Sequence, residues 1–297
     1  MSTAYPSNIS HAEWDCLQRF LPPRSPHGRL RQHSLRSIFD AFFYLLRTGC
    51  PWRSLPCNFP PWQTVYYHFK QFCRTGLWTC LYRALRDAER RRVGKDPHPS
   101  AAIIDAQSVK TVEESGCIRG FDAHKWIKGR KRHLLVDTLS LPLSVYVSPA
   151  DMPDAHGARR LLAGLNYFVP PVKKIWADAA YRGQDLADWC KNVGDWELEV
   201  VQRTTGARGF AVQSKRWTVE RTFSWLSLNR RMSKDYERKV QTSETLIEVA
   251  MIRLLVARLE CRKRHPGEHP THGAYGSARG EKAKGLSHST CGHYFDV

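Results

Sequence analysis

No apolar run in this chain approaches the roughly twenty residues of a membrane-spanning helix. Residues 1–10 lack the hydrophobic core of a secretory signal. Nine cysteines are scattered without a single C-x-x-C pair, which excludes an obvious disulfide framework and favours reduced, mostly buried thiols in a cytosolic protein. The nearest approach to a zinc pattern is Cys261, His265, His269 and His272. They lie among Pro266, Gly267 and Pro270 in a polar stretch and read as a solvated segment. No internal repeat is present. Acidic residues are also scarce: 28 Asp and Glu face 46 Lys and Arg, leaving a formal charge of +18. Such an excess points to a polyanionic partner, because neutralised phosphates release counterions and drive binding. An anionic membrane surface is the other attractor this charge admits.

Apolar and aromatic residues are plentiful enough to fold most of the chain. Hydrophobic residues make up 42%, including 10 Trp, 11 Tyr and 12 Phe, so 297 residues predict one large domain with a smaller one. Residues 1–96 read as helical. Ser10-His11-Ala12-Glu13 has capping-box spacing, and Ser34 opens a helix carrying Leu35, Ile38, Phe39, Phe42, Leu45 and Leu46 at helical intervals, with Gly49 as its stop. Helices are also expected from about Thr64 and around Leu77, Trp78, Leu81 and Leu85. Pro97-His98-Pro99 marks a change of texture. Strands are predicted over 101–109, 133–138, 143–148, 173–177 and 196–201, and helices over 155–165, 185–193, 214–231 and 243–259. This order describes an α/β domain, residues 97–261, in which helices cover a mixed five-stranded sheet. Residues 262–297, rich in Gly, His, Ser and Lys, read as a disordered basic tail.

Within this basic chain, acids at the ends of core elements are conspicuous. Asp105 closes Ala101-Ala102-Ile103-Ile104, and Asp178 closes Lys174-Ile175-Trp176-Ala177. Glu220 lies in a predicted helix about a hundred degrees round from Val219, at the margin of the stripe formed by Val219, Phe223 and Leu226. Three such carboxylates repel one another unless a divalent cation neutralises them. Metal-bound carboxylates beside basic surface suit phosphodiester chemistry. Asp137, Asp151 and Asp154 also follow strands, and spacing alone leaves them as competitors.

Four stretches carry a family resemblance: Ile104-Asp105-Ala106-Gln107-Ser108-Val109-Lys110-Thr111; Gly129-Arg130-Lys131-Arg132-His133-Leu134-Leu135-Val136-Asp137-Thr138; Ala177-Asp178-Ala179-Ala180-Tyr181-Arg182-Gly183; and Arg216-Trp217-Thr218-Val219-Glu220-Arg221-Thr222-Phe223-Ser224-Trp225-Leu226. Together they resemble the DDE transposases of bacterial insertion sequences, nearest to the insertion-sequence-five type. Leu46-Arg47-Thr48-Gly49-Cys50-Pro51-Trp52-Arg53 and Pro60-Pro61-Trp62-Gln63-Thr64-Val65-Tyr66-Tyr67 resemble the helical leader of that family. The resemblance runs from about residue 35 to 260. It implies a ribonuclease-H-like fold and a metal-binding triad of Asp105, Asp178 and Glu220 holding two Mg²⁺, with Mn²⁺ as a substitute. Arg216 fills the family's Arg position one turn before the Glu. Gln213 and Ser227 depart from its Tyr and Lys positions.

The implied reaction is cleavage at the ends of the element, followed by attack of the freed 3′-hydroxyl on target DNA. Partners implied are the terminal inverted repeats, target DNA and a second copy of the chain on DNA, in a bacterial cytoplasm and at its nucleoid. Lys125, Lys128, Arg130, Lys131 and Arg132 form a dense basic run that reads, with Lys110, as phosphate contacts near the site. Arg216 and Arg221 flank Glu220 and are further DNA candidates. Residues 62–70 form a candidate reading helix. Two other readings remain: a metal-dependent nuclease without strand transfer, and a DNA-binding repressor that does not cleave.

Overall fold

Local signals set the helices of the first hundred residues. Ser10 Oγ accepts the Glu13 amide at 3.1 Å while the Glu13 carboxylate accepts the Ser10 amide at 2.8 Å, a complete capping box for α1 (His11–Gln18). Ser34 caps α2 (Leu35–Thr48) through the Ser37 amide, and Gly49, at φ 75°, ends it in the left-handed conformation that glycine adopts freely. Helices α3 (Trp62–Arg74) and α4 (Leu77–Arg92) follow. Their inner faces meet those of α2 in an aromatic cluster, where the Trp78 ring lies 5.2–6.0 Å from Phe39, Phe42, Phe69 and Phe72.

The computed structural model describes residues 5–23, 31–163, 165, 169, 171–201 and 214–264, with 214–216 and 261–264 described in backbone only. The tail after residue 264, its disorder and the Cys261/His265/His269/His272 pattern therefore lie outside the described side chains. The seven described cysteines are all free thiols. No described helix is long and apolar enough to cross a membrane.

Past Pro97 the chain turns to strands: β1 (Ala101–Lys110), β2 (Gly120–Asp122), β3 (Ile127–Asp137), β4 (Pro142–Pro149), β5 (Lys174–Ala177) and β6 (Glu197–Val200). Among the described residues the sheet has six strands, one more than the sequence predicts. The extra one, β2, is a three-residue strand too short to show a period and is held only by its hairpin with β3. β3 pairs antiparallel with β1, β2 and β4, whereas β1, β5 and β6 run parallel. Parallel pairing requires crossovers, which α5 (Asp154–Leu162) and α6 (Gln184–Gly194) supply.

Strand alternation divides the core into two layers. Ala102, Ile104 and Leu135 face α5 and α6, meeting Ala158, Leu161, Leu186 and Cys190. Ile103, Leu134 and Val136 face the other layer, where α7 (Ser214–Ser227) and α8 (Val240–Arg264) join the N-terminal helices. Helix α8 lies against α1, α2, α4 and β4, which explains why its sequence is apolar nearly all round. The core therefore runs across the change of texture at Pro97. The Tyr82 hydroxyl on α4 donates to the Pro142 carbonyl at 2.6 Å, and Arg90 pairs with the buried Asp137 at the end of β3.

Candidate active site

Asp105 and Asp178 owe their positions to strand register. β1 and β5 pair in parallel through Ala101–Lys174, Ala102–Ile175 and Ile103–Trp176. Carrying that register forward two residues sets Asp105 level with Asp178, on neighbouring strands that lie about 4.8 Å apart while paired. β5 ends here, but β1 does not: contrary to the sequence expectation, Asp105 lies in mid-strand, because β1 continues past its apolar run and stays paired with β3 as far as Lys110. Asp105 Oδ1 accepts the Ala106 amide at 2.7 Å, and Asp178 Oδ1 accepts the Ala180 amide at 2.9 Å, capping the 3₁₀ turn Ala179–Tyr181. Both carboxylates are half-buried.

That turn drives Tyr181 into the interior beside the two acids. Burial pushes its phenol well above the ordinary range, and the charges of Asp105, Asp154 and Asp178 push it further. The hydroxyl stays protonated and has no hydrogen-bond partner among the described residues. Sequence reasoning gave Tyr181 no role, although its place three residues after Asp178 is the signal that could have found it.

Glu220 arrives on α7, which packs across β1, β3 and β5. Val219, Phe223 and Leu226 are buried, as the predicted stripe requires, and Glu220 is exposed at its margin. The helix is keyed to the β3–β4 turn: Thr222 Oγ1 donates to the Ser140 carbonyl at 2.7 Å, and Arg221 Nε donates to Ser140 Oγ at 2.8 Å. Among the described residues no three His, Cys, Asp or Glu side chains converge closely enough to hold a metal ion. The strand register brings Asp105 and Asp178 together; Glu220 stands on the helix across them.

The competing acids have other occupations. Asp137 is fully buried, where burial raises its carboxyl pKa against the opposing pull of the Leu141 amide and Arg90. Asp154 lies 2.9 Å from Lys131. Asp151 is exposed beside Gly120, whose missing side chain leaves it room.

Two family comparisons cover this geometry. Residues 96–255, more than half of the chain and the whole of the sheet, match the transposase DDE domain family. Residues 9–82 match the transposases of the IS4/5 family. The chain belongs to the DDE transposases of the IS4/5 type. No curated protein matches it.

The transposase distributes its basic residues differently from the sequence expectation. Lys110, Lys125 and Lys128 are exposed. Arg130, Lys131 and Arg132, expected as phosphate contacts, are buried and donate to groups inside the protein, although Arg132 Nε has no hydrogen-bond partner there. Arg130 donates to Asp235 Oδ1 at 2.9 Å and to the carbonyls of Glu237 and Ile118 at 2.7 and 2.8 Å. Arg132 holds the Met232 and Lys234 carbonyls, and Lys131 the Met152 carbonyl and Asp154. Together Arg130 and Arg132 fasten the segment between α7 and α8 to β3. Arg221 is half-buried, its guanidinium lying 4.4 Å from the Trp217 ring and 5.3 Å from Trp225, so packing of α7 accounts for it. The side chain of Arg216 and residue Gln213 lie outside the described residues.

Proposed function

We propose that this transposase cleaves DNA at the ends of its element and joins the freed 3′-hydroxyl to target DNA, using Asp105, Asp178 and Glu220. The observation that carries the reading is the level placement of Asp105 and Asp178 on adjacent parallel strands, with Glu220 on the helix packed across those strands. The sheet order supports a ribonuclease-H-like catalytic fold: β1, β3 and β4 form an antiparallel set, and β5 and β6 continue parallel to β1.

The donor chemistry fits a hard divalent cation, since all three groups offer carboxylate oxygens. Asp105, Asp178 and Glu220 are the residues that would hold two Mg²⁺ ions, or Mn²⁺ in their place. When bound there, the metal would supply activation of the attacking hydroxyl and neutralisation of the departing oxygen. The protein's own groups do the rest. Backbone amides of Ala106 and Ala180 fix one oxygen of each aspartate, leaving the other directed by its surroundings. Tyr181 remains a neutral hydroxyl beneath them and adds no further negative charge. Lys110, Lys125 and Lys128 hold backbone phosphates and set the position of the strand rather than its sequence. The helical segment matching the IS4/5 family, with α3 exposing Tyr66 and Tyr67, is the candidate reader of the inverted repeats. Two copies of the chain assemble on the paired ends.

Asp105→Asn, Asp178→Asn and Glu220→Gln are each expected to abolish cleavage and joining while leaving DNA binding intact. The measurement is strand cleavage and joining of a labelled element end in Mg²⁺, beside a binding assay. Wild-type cleavage by Glu220→Gln would remove it from the site. A pre-cut end with a free 3′-hydroxyl distinguishes strand transfer from simple hydrolysis, because a nuclease leaves it unjoined.

A further inference from the structure

The β2–β3 hairpin ends in a four-residue turn, Ala123 to Trp126, whose last residue is out of keeping with the fold. Trp126 is 80% exposed. Its backbone sits at φ 54°, the left-handed region that glycine or asparagine occupies readily and a bulky side chain does not. Folding alone would favour a smaller residue there, because the indole buries little and its backbone is strained.

The turn is nevertheless rigidly held. Asp122 is buried and accepts the Ser108 hydroxyl together with the amides of His124 and Lys125, both at 3.1 Å. Lys125 Nζ reaches back to the Ala106 carbonyl at 3.3 Å, one residue from Asp105. The turn is thus folded over the strand that carries the candidate active site. Phe121, 47% exposed, stands edge-on behind Trp126 with ring centroids 5.9 Å apart. Lys128, paired across the hairpin with Phe121, is exposed. An exposed aromatic face backed by a second ring, with two exposed lysines on the same hairpin, one of them tied to the strand that carries Asp105, has the chemistry of a platform for a single-stranded nucleic acid.

We infer that Trp126, backed by Phe121, stacks on an unpaired base of the DNA strand next to the bond to be cut, with Lys125 and Lys128 on the adjoining phosphates. A fully paired duplex has no free base face to offer, whereas an opened or overhanging end does. Every base has such a face, so the contact selects strand state and not sequence. The inference rests on the DNA-cleaving reading only for which strand is held; the stacking itself is read by binding.

The test uses the full-length protein and two probes: a duplex with a single-stranded overhang carrying 2-aminopurine, and a fully paired duplex of the same sequence. Wild type is expected to quench the 2-aminopurine and to prefer the overhang by about tenfold. Trp126→Gly should lose both the quench and the preference, keep its affinity for paired duplex, and melt at the same or a higher temperature because the turn relaxes. Trp126→Phe should restore part of the preference. An unchanged preference in Trp126→Gly overturns the inference. So does a preference that survives while the variant loses concentration-dependent self-association, which would make the indole a contact between two copies. Asp105→Asn separates the two readings: it should keep the quench whether or not cleavage depends on that carboxylate.

Discussion

The turn of the β2–β3 hairpin and the middle of β3 carry the same kind of side chain a few residues apart, with opposite surroundings. At the turn, Lys125 and Lys128 stand in solvent beside an exposed indole. In the strand, Arg130 has no exposed surface and satisfies one carboxylate and several carbonyls. The difference lies in what packs on each half. The segment between α7 and α8 covers the strand's middle, accepting from Arg130 and Arg132, whereas Lys125 and Lys128 are exposed. Positive charge around the start of β3 therefore divides into a part buried in the protein and a part left exposed.

Removing the interior part should have the largest effect. Arg130→Ala leaves Asp235 buried without its counter-charge and frees the carbonyls that Arg130 holds, at an expected cost of about 3–5 kcal/mol in urea unfolding. A loss below about 1 kcal/mol would show that the pair is dispensable and the division wrong. Next comes pH. His133, two residues past Lys131 and sealed beneath Gly157, has its imidazole lowered by burial to about 4 from an ordinary value near 6.5. The unfolded chain then binds the proton more readily than the folded one. Stability held above pH 6.5 should be lost as pH falls through 4, by on the order of 3 kcal/mol. His133→Gln should flatten that slope; an unaltered slope would place its origin in other groups. The exposed part should behave in the reverse manner. Lys128→Ala is expected to leave unfolding within about 0.5 kcal/mol, while the log–log salt slope of DNA binding falls by about 0.9. A slope that does not move would mean that Lys128 touches no phosphate.

This division marks the limit of what the sequence discloses. Local signals were legible: the Ser10–Glu13 box, the Ser34 cap with Gly49, and the apolar run that opens β1 at Ala101. Asp178 was legible as a strand-end acid because the apolar run before it stops where β5 stops, whereas the run before Asp105 ends in the middle of β1, which long-range pairing with β3 carries on to Lys110. The depth of Arg130 and Arg132 was not legible. Arg132's partner Met232 lies 100 residues away, and Arg130's partner Asp235 lies 105 away, so nothing beside either arginine announces burial. β2 escaped because three residues cannot show a period, and Trp126 because a left-handed backbone leaves no mark in composition.

The parallel register that sets Asp105 level with Asp178 constrains how the gene for this enzyme can change length. Insertions or deletions in the long stretch between β1 and β5, or in the hairpin beyond the site, leave the two acids aligned, because alignment is fixed by local pairing and not by chain distance. One residue added between Ala102 and Asp105 would advance that carboxylate by about 3.3 Å and turn it to the opposite layer. The same holds for Ile175 to Asp178. Length can therefore change in the loops, while the start of β1 and the whole of β5 must keep their length to the residue.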